Sequence, residues 1–286
     1  VPRWTLLWLT RRARPERLRA MTQKLLIIGC GNMGGAMLAG WLAAGEAPSR
    51  FAVLDPALPE TPAGVALYRT ADEASAAGHD GVMLGIKPQQ LAALGPGLQP
   101  LTGSGVTVYS LLAGITLPQL AQAFPAASAH VRVMPNLASR INKSPVILCE
   151  TGMGEASRPA ALSLFDKLGS AIWLEDEGKF DLVTALAGSG PGFVYRFIDA
   201  LAGAAVDLGL DEPTAASLAL ATVEGAAALA AGADIGPAAL ADRVASPGGM
   251  TREGLDVLDK DQTLRRLLSD TLRATRDKGA ALSQGS

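Results

Sequence analysis

The chain has 286 residues, of which 49% are hydrophobic and 18% charged, and its formal net charge is -2. This length allows one large or two ordinary domains with ample core, and the charge gives no electrostatic basis for binding nucleic acid or an anionic membrane. The two cysteines, Cys30 and Cys149, lie far apart without metal-ligand spacing, so we expect reduced thiols, no metal site and a cytoplasmic protein.

Residues 1–20 differ in composition from the rest of the chain. Their arginines follow a short apolar run instead of preceding it, which is the wrong order for a secretory signal. The run is also too short to span a bilayer. We therefore expect a disordered extension, or a gene start placed too early with Met21 as the true first residue. No later segment is expected to cross a membrane, because Asp, Glu, Gly and Pro interrupt the alanine-rich runs.

The first predicted element is a buried strand, 25–28, which leads into the glycine-rich segment 29–34 and then a helix. In this strand–turn–helix context, the pattern G-x-G-x-x-G is typical of dinucleotide binding. Gly29 permits the tight turn, Gly31 lets a pyrophosphate approach the backbone, and Gly34 lets helix and strand pack closely. The alternative is a glycine-rich turn that binds no ligand.

Asp55 follows the second predicted strand, 51–54, at about the 20-residue distance from Gly34 that is typical of an acidic residue on the adenosine ribose. A bond to the ribose 2′-hydroxyl favours NAD over NADP. The alternative is an ordinary turn aspartate. Because Arg50 and Arg69 are available for a 2′-phosphate, the two interpretations stay open.

Further apolar runs alternate with helical stretches, which predicts an α/β Rossmann domain over 21–180 with a doubly wound, mostly parallel sheet. Ligands of such sheets bind at the carboxyl ends of the strands. Lys87, held by Pro88 just past a strand end, is expected to face phosphate, ribose or the nicotinamide carboxamide. The acidic run 175–177 is interpreted as a solvated turn. The further predicted strands are 65–68, 81–86, 106–110, 130–134, 145–149 and 171–174, with the last two at the sheet edge.

From Asp181 the pattern becomes helical only, which predicts an all-α domain over 181–286. The segment 188–192 lacks the Lys-Ser/Thr of a phosphate loop and is interpreted as a close-packing turn at the domain junction. A helical domain so poor in polar faces is expected to bury part of itself against a second subunit. The predicted helices are 193–208, with a buried face, 213–231, and 253–279 with an interruption near Lys260.

The segment 244–254 near the end of the chain carries the predicted substrate site. It is predicted to place Ser246, two glycines and Thr251 in one turn before a helix that begins near Glu253. Glycines let backbone N–H groups approach a ligand, and a turn that leads into a helix N-terminus suits an anion. We therefore predict that this loop binds a substrate carboxylate. The alternative role for both hydroxyl residues is helix capping.

Together these segments resemble the pyrroline-5-carboxylate reductase family, and the resemblance extends from Lys24 to Gly279. It implies reduction of 1-pyrroline-5-carboxylate to L-proline with NADPH or NADH. It also implies a Rossmann domain followed by an all-helical domain that interlocks with its twin in homodimers, often assembled into decamers. The segments that carry the resemblance are Gly29–Gly34, Ile86–Pro88, Ala113–Gly114, Met134–Asn136, Gly188–Pro191 and Ser246–Thr251.

The resemblance also assigns roles to residues, with Ser246 and Thr251 as the catalytic pair. Hydride transfer to a cyclic iminium needs no strong acid–base dyad, and the Thr251 hydroxyl is expected to relay a proton. Asp72 stands where the family has an Asn that contacts the adenosine. Expected substrate-binding residues are Ser246, Gly248, Gly249, Met250 and Thr251. Expected cofactor-binding residues are Gly29, Gly31, Asn32, Met33, Gly34, Asp55, Asp72, Ile86, Lys87, Pro88, Ala113, Gly114 and Asn136.

Two other functions are weighed against this one. A β-hydroxyacid dehydrogenase or related imine reductase is expected to carry a catalytic lysine on the helix 193–208, which has Arg196 and no lysine. A non-enzymatic dinucleotide sensor needs the first glycine-rich segment but has no need of 246–251.

Overall fold

The computed structural model describes residues 24–284, with side chains described as far as Ala281. The expectations for residues 1–20 and for Met21 lie outside this part of the chain. The described residues form two compact units. One consists of 24–190 together with 272–284, and the other of 191–271. The predicted boundary between 180 and 181 stays a prediction.

The first unit is built on one sheet of eight strands in the order β3-β2-β1-β4-β5-β6-β7-β8. All neighbouring strands are parallel except β6 and β7, which are antiparallel. The predicted mostly parallel sheet is therefore confirmed, with β7 and β8 at its edge. The strands are β1 Leu25–Ile28, β2 Phe51–Leu54, β3 Ala66–Tyr68, β4 Gly81–Leu84, β5 Thr107–Ser110, β6 Ala129–Met134, β7 Ser144–Thr151 and β8 Gly169–Trp173.

The strand order reverses at the centre of the sheet. All residues of β1, β2 and β4 are buried, as expected for parallel strands covered on both faces. Strand order reverses between β1 and β4, because the chain adds β2 and β3 on one side and returns to add β4 on the other. Such a reversal opens a crevice at the carboxyl ends of the two strands.

Apolar clusters cover both faces of the sheet. On one face Trp41 stacks on Phe51 with ring centroids 5.1 Å apart, and its indole Nε1 donates to the Leu164 carbonyl at 2.8 Å. The other face carries Leu120 and Phe124, both fully buried. The helices of this unit are α1 Asn32–Ala43, α2 Ala71–Ser75, α3 Leu91–Leu98, α4 Leu117–Ala123, α5 Arg158–Asp166 and α6 Phe180–Val183, followed by a π-helical turn, Thr184–Gly188.

Helix α1 is locked against the segment after β6 at Gly40. A Cβ on Gly40 would lie 2.0 Å from the Ser139 carbonyl oxygen, so only glycine fits there. Asn142, in a left-handed conformation with φ of 57°, donates its side-chain amide to the carbonyls of Gly40 and Lys167. These contacts fix the direction of α1, whose N-terminus belongs to the glycine-rich segment.

The second unit contains helices only, as predicted. Helix α10 begins at Met250, three residues before the predicted start at Glu253, because Gly249 and not a later residue acts as its N-cap. The predicted interruption near Lys260 is confirmed, since Asp261 has a φ of 53° and separates two helices. The helices are α7 Gly190–Asp207, α8 Glu212–Gly232, α9 Pro237–Val244, α10 Met250–Asp259 and α11 Thr263–Gln284, which ends in the first unit.

The predicted buried face of α7 is not buried within one chain. No residue of α7 is buried, and Val194, Phe197 and Leu201 of the predicted face are 46%, 48% and 40% exposed. In α8 only Ala215 and Ala219 are buried. By length and composition α8 is also apolar enough to cross a membrane, which the sequence analysis did not anticipate.

Candidate functional site

The carboxyl ends of β1 and β4 approach each other through glycines. Gly29 has a φ of +80°, and a Cβ on Gly85 would lie 2.3 Å from the Gly29 carbonyl oxygen. A Cβ on Gly34 would lie 2.9 Å from the same oxygen. The first and third glycines of the segment therefore serve the tight turn and the close packing of α1.

Gly31 differs from its neighbours, because a Cβ added to it meets no atom within 4 Å. It is the N-cap of α1, which begins at Asn32 without a side-chain cap, while Met33 packs against the core. The first N–H groups of a helix have no partner inside the helix, and together with the helix dipole they attract an anion. Open space above Gly31 and this uncapped helix end fit the pyrophosphate of a dinucleotide.

Asp55 at the end of β2 is joined to the glycine-rich segment. Its carboxylate accepts hydrogen bonds from the N–H groups of Cys30 at 3.0 Å, Ala57 at 2.9 Å and Leu58 at 3.1 Å. Partial burial by itself would raise the pKa of the Asp55 carboxyl. The three N–H donors and the positive charge of Arg69 outweigh burial and hold the pKa below its usual value. The side chain is therefore ionised at neutral pH and shapes both the turn and the crevice.

The other predicted cofactor residues follow the carboxyl ends of neighbouring strands. Lys87 is exposed, and its backbone N–H donates to the Gln90 side chain at 2.9 Å. Gly114 after β5 is buried with a φ of +78°, next to the exposed Ala113. Asp72 is exposed in the first turn of α2. Ile86 and Pro88 are half-buried beside Lys87. Parallel topology brings these strand ends to one edge, and direct contact of each residue with a cofactor stays a prediction.

Asn136 was predicted to contact the cofactor, but its polar groups all bind protein. Its side-chain Nδ2 donates to the Ala187 carbonyl at 2.9 Å, and its Oδ1 accepts from Ala138 N–H at 2.9 Å. Its backbone N–H donates to Ser144 Oγ, and the residue is 5% exposed. Asn136 thus holds the segment after β6 to the π-helical turn that contains Ala187. A contact of its side chain with the cofactor stays a prediction.

The junction segment after this turn is a bend inside a helical stretch and not a separate turn. A Cβ on Gly188 would lie 2.9 Å from Met134 Sδ, whereas a Cβ on Gly190 or Gly192 would meet no atom within 4 Å, so the predicted close packing is found at Gly188 alone.

The loop before α10 differs from the prediction in one respect, and its role in substrate binding stays a prediction. Gly248 has a φ of +69°, and the Gly249 N–H donates to the Ser246 carbonyl at 2.9 Å. Thr251 lies in the first helical turn and not in the loop, because α10 starts at Met250. The N-cap Gly249 makes no side-chain cap hydrogen bond, so neither hydroxyl caps the helix. Both hydroxyls are exposed, beside uncapped N–H groups that suit a carboxylate.

Comparison with known proteins gives a consistent result. The family model for pyrroline-5-carboxylate reductase dimerisation matches residues 177–282. The pyrroline-5-carboxylate reductase of Methanosarcina acetivorans is 32% identical over 262 residues, which cover 88% of this chain and 96% of that protein. The chain belongs to the pyrroline-5-carboxylate reductase family.

Solved structures agree with this family membership. A pyrroline-5-carboxylate reductase from Coxiella burnetii is 30% identical with a TM-score of 0.85, covering 92% of this chain and 99% of that one. A pyrroline carboxylate reductase from Plasmodium falciparum, solved with NADP bound, has a TM-score of 0.78 over 91% of this chain and 98% of that one. At 24% identity, the second structure shows a shared fold.

One feature of this family member was missed by sequence reasoning, an ion pair beside the strand ends. Glu177 Oε1 accepts from Arg132 Nη1 at 2.9 Å and from Leu117 N–H at 2.8 Å, and the Arg132 guanidinium lies 3.9 Å from the Phe180 ring centre. Glu177 is therefore not part of a merely solvated turn. The sequence contained a sign of this pair, since the charged residue Arg132 within the apolar strand 129–134 needs a partner.

This ion pair also affects a neighbouring thiol. Burial, followed by the negative charge of Glu177, raises the pKa of Cys149 to about 11. Cys30 and Cys149 are both free and buried.

A second ion pair holds the reductase loop. Arg252 Nη2 lies 2.8 Å from Asp242 Oδ1, which connects the end of α9 with the start of α10 across the glycine turn. Because both side chains are open to solvent, this pair contributes little to the stability of the fold. Among residues 24–284, no group of three or more His, Cys, Asp or Glu side chains is placed to hold a metal ion.

Proposed function

We propose that this member of the family reduces 1-pyrroline-5-carboxylate to L-proline in the cytoplasm, with NADPH or NADH as the reductant. One observation carries the proposal: a chain of this family contains both an uncapped, open helix start at Gly31 and an uncapped helix start with two exposed hydroxyls at 246–251. The first suits a dinucleotide pyrophosphate and the second suits the carboxylate of a small acid.

The substrate carboxylate is bound by the loop before α10. The N–H groups of Met250 and Thr251 are the first two of the helix, and the hydroxyls of Ser246 and Thr251 add two further donors. The Gly249 N–H is already used within the turn, so glycines 248 and 249 contribute close approach of the backbone. Met250 is 94% exposed and is the first residue of the helix after its N-cap.

The reaction adds a hydride and a proton across the C=N bond of the ring. The reduced nicotinamide, when bound, supplies the hydride, with its electron pair, to the imine carbon. Thr251 holds the ring nitrogen, where the proton resides in the iminium form and remains in the product amine. Because the iminium is already electrophilic, the protein contributes mainly orientation, which is worth roughly 7–11 kcal/mol when the geometry is good.

The direct test measures NADH or NADPH oxidation after addition of 1-pyrroline-5-carboxylate, with proline identified as the product. We expect turnover that depends on both reactants. A β-hydroxyacid dehydrogenase would instead reduce the corresponding keto or aldehyde acid, and a dinucleotide sensor would bind the nucleotide without turnover. Absence of proline formation while the nucleotide still binds would reject the proposed reaction.

We further propose that the helical region 181–286 forms a homodimer, with decamers as the larger assembly that the family resemblance implies. The exposed apolar side chains of α7 and α8 support this, because monomers seldom expose large apolar patches. Mass photometry without detergent should give at least twice the 29.3 kDa of one chain. A monomeric protein would contradict the proposed dimer. A protein that needs detergent to stay in solution would instead indicate that α8 contacts a membrane.

A further inference from the structure

We propose that this chain selects NADH against NADPH and that Asp55 is the residue responsible. The preference deepens the proposed function, since it concerns the nucleotide of the same reaction. The sequence left two possibilities open: Asp55 binds the ribose 2′-hydroxyl of NADH, or Arg50 and Arg69 bind the 2′-phosphate of NADPH.

The first support is the position of the Asp55 carboxylate. It lies at the carboxyl end of β2, bonded at 3.0 Å to the N–H of Cys30 inside the glycine-rich segment. In this fold the adenosine ribose lies at that strand end, beside the segment that binds the pyrophosphate. A carboxylate has about four acceptor positions, and three N–H groups occupy three of them in Asp55. Acceptor capacity therefore remains for a ribose hydroxyl.

The second support is charge. The N–H donors that fix Asp55 also stabilise its ionised form, so a negative group is held beside the place of the 2′-hydroxyl. A 2′-phosphate at this place would put like charges close together in a partly enclosed crevice. NADPH carries that phosphate and NADH does not.

The third support is the state of the two arginines. Arg50 forms an ion pair with Glu46. Arg69 donates to the carbonyls of Asp55, Leu58 and Pro59, so its guanidinium holds the loop after β2. Binding a phosphate through Arg69 would require giving up bonds to this loop.

A third cation, Lys87, lies on the other side of the crevice. Lys87 follows β4, and β1 separates β4 from β2 in the sheet. It is placed toward the middle of a bound dinucleotide and not toward the adenosine ribose. Asp55 can therefore accept a hydrogen bond from a ribose hydroxyl. Arg50 and Arg69, which could bind a 2′-phosphate, are already bonded to other protein groups.

The test measures the dissociation constants of NADH and NADPH by fluorescence titration, without 1-pyrroline-5-carboxylate. We expect NADH to bind the unmodified protein at least about tenfold more tightly than NADPH, because of the charge repulsion at Asp55. Equal or tighter binding of NADPH would overturn the preference. Thermal shifts with AMP and with 2′,5′-ADP provide a second measurement on the unmodified protein, with the larger shift expected for AMP.

The variant Asp55→Asn assigns the preference to the residue. It removes the charge and keeps an oxygen acceptor, so the ratio of the two dissociation constants should fall about tenfold toward one. Asp80→Asn is the matched control, because Asp80 lies at the amino end of β4 and accepts from the Lys24 N–H at 2.8 Å. The ratio of the two dissociation constants of Asp80→Asn should equal that of the unmodified protein. An Asp55→Asn protein that folds, by circular dichroism, and keeps the full preference would overturn the assignment.

Failure of this preference is distinguishable from failure of the proposed function. Proline formation with tighter NADPH binding would reject the role of Asp55 and keep the reaction. Selective NADH binding without proline formation would keep the role of Asp55 and reject the reaction.

Discussion

Replacing Thr251 with alanine is expected to lower kcat/KM for 1-pyrroline-5-carboxylate by about 100-fold, the scale of a reactant that is no longer held in position. The hydroxyl is exposed in the first turn of α10, where it is available both to the carboxylate and to the ring nitrogen. Because it makes no cap hydrogen bond, its removal should leave the fold unchanged. Steady-state kinetics and a thermal melt of the same preparation measure the two effects separately.

Two variants control this experiment. Thr251→Ser keeps a hydroxyl and should retain most of the activity. Thr214→Ala removes an exposed threonine from the first turn of α8 and should leave kcat/KM unchanged. Unchanged kinetics for Thr251→Ala would show that the threonine plays no part in the reaction.

Replacing Gly31 with alanine is expected to weaken dinucleotide binding about 10- to 100-fold, the equivalent of one lost hydrogen bond to a charged group. The added Cβ meets no protein atom within 4 Å, so the fold has room for it. The same space is the predicted place of the pyrophosphate. Fluorescence titration with NADH gives the affinity, and the melting temperature should stay close to that of the unmodified protein.

Neighbouring glycines provide the comparison for Gly31→Ala. Gly35→Ala lies one turn further along α1, where its Cβ would be 3.7 Å from the Cys30 carbonyl oxygen, an ordinary contact. It should bind NADH normally and slightly stabilise the helix. Gly34→Ala places a Cβ 2.9 Å from the Gly29 carbonyl oxygen and should lower the melting temperature. Normal NADH affinity in Gly31→Ala would contradict the predicted pyrophosphate position.

The strands could be predicted from the sequence because most are short, continuous apolar runs. β1 and β2 have the predicted bounds, and the others agree within a few residues. β7 is longer than predicted, Ser144–Thr151, because its last residues pair with β6 beyond Leu148, where its pairing with β8 ends. Pairing of this kind extends a strand through residues such as Glu150 that have little strand tendency of their own.

The contacts that join distant segments could not be predicted. Glu177 reaches Arg132 and Asn136 reaches Ala187 only because the fold brings these residues together. A charged or amide side chain in an apolar context indicates that a partner exists, but the sequence does not name it. The need for glycine at position 40 likewise arises from the Ser139 carbonyl, which belongs to another segment.

The helical unit shows a different limit. The sequence correctly gives helices with apolar faces, and from them an expected buried face along α7. Within one chain that face stays exposed, since the side chains that would cover it are not supplied by the same chain. Apolar periodicity predicts that a face is to be buried, and it does not say which molecule buries it.

The central claim is that one small acid is bound by the loop 246–251 while its ring meets the nicotinamide. A crystal structure of the protein with a dinucleotide and L-proline tests this claim directly. We expect the proline carboxylate on the N–H groups of Met250 and Thr251, and the ring carbon roughly 3–3.5 Å from C4 of the nicotinamide. A proline bound elsewhere, or a loop 246–251 exposed to solvent while the dinucleotide is bound, would contradict the claim.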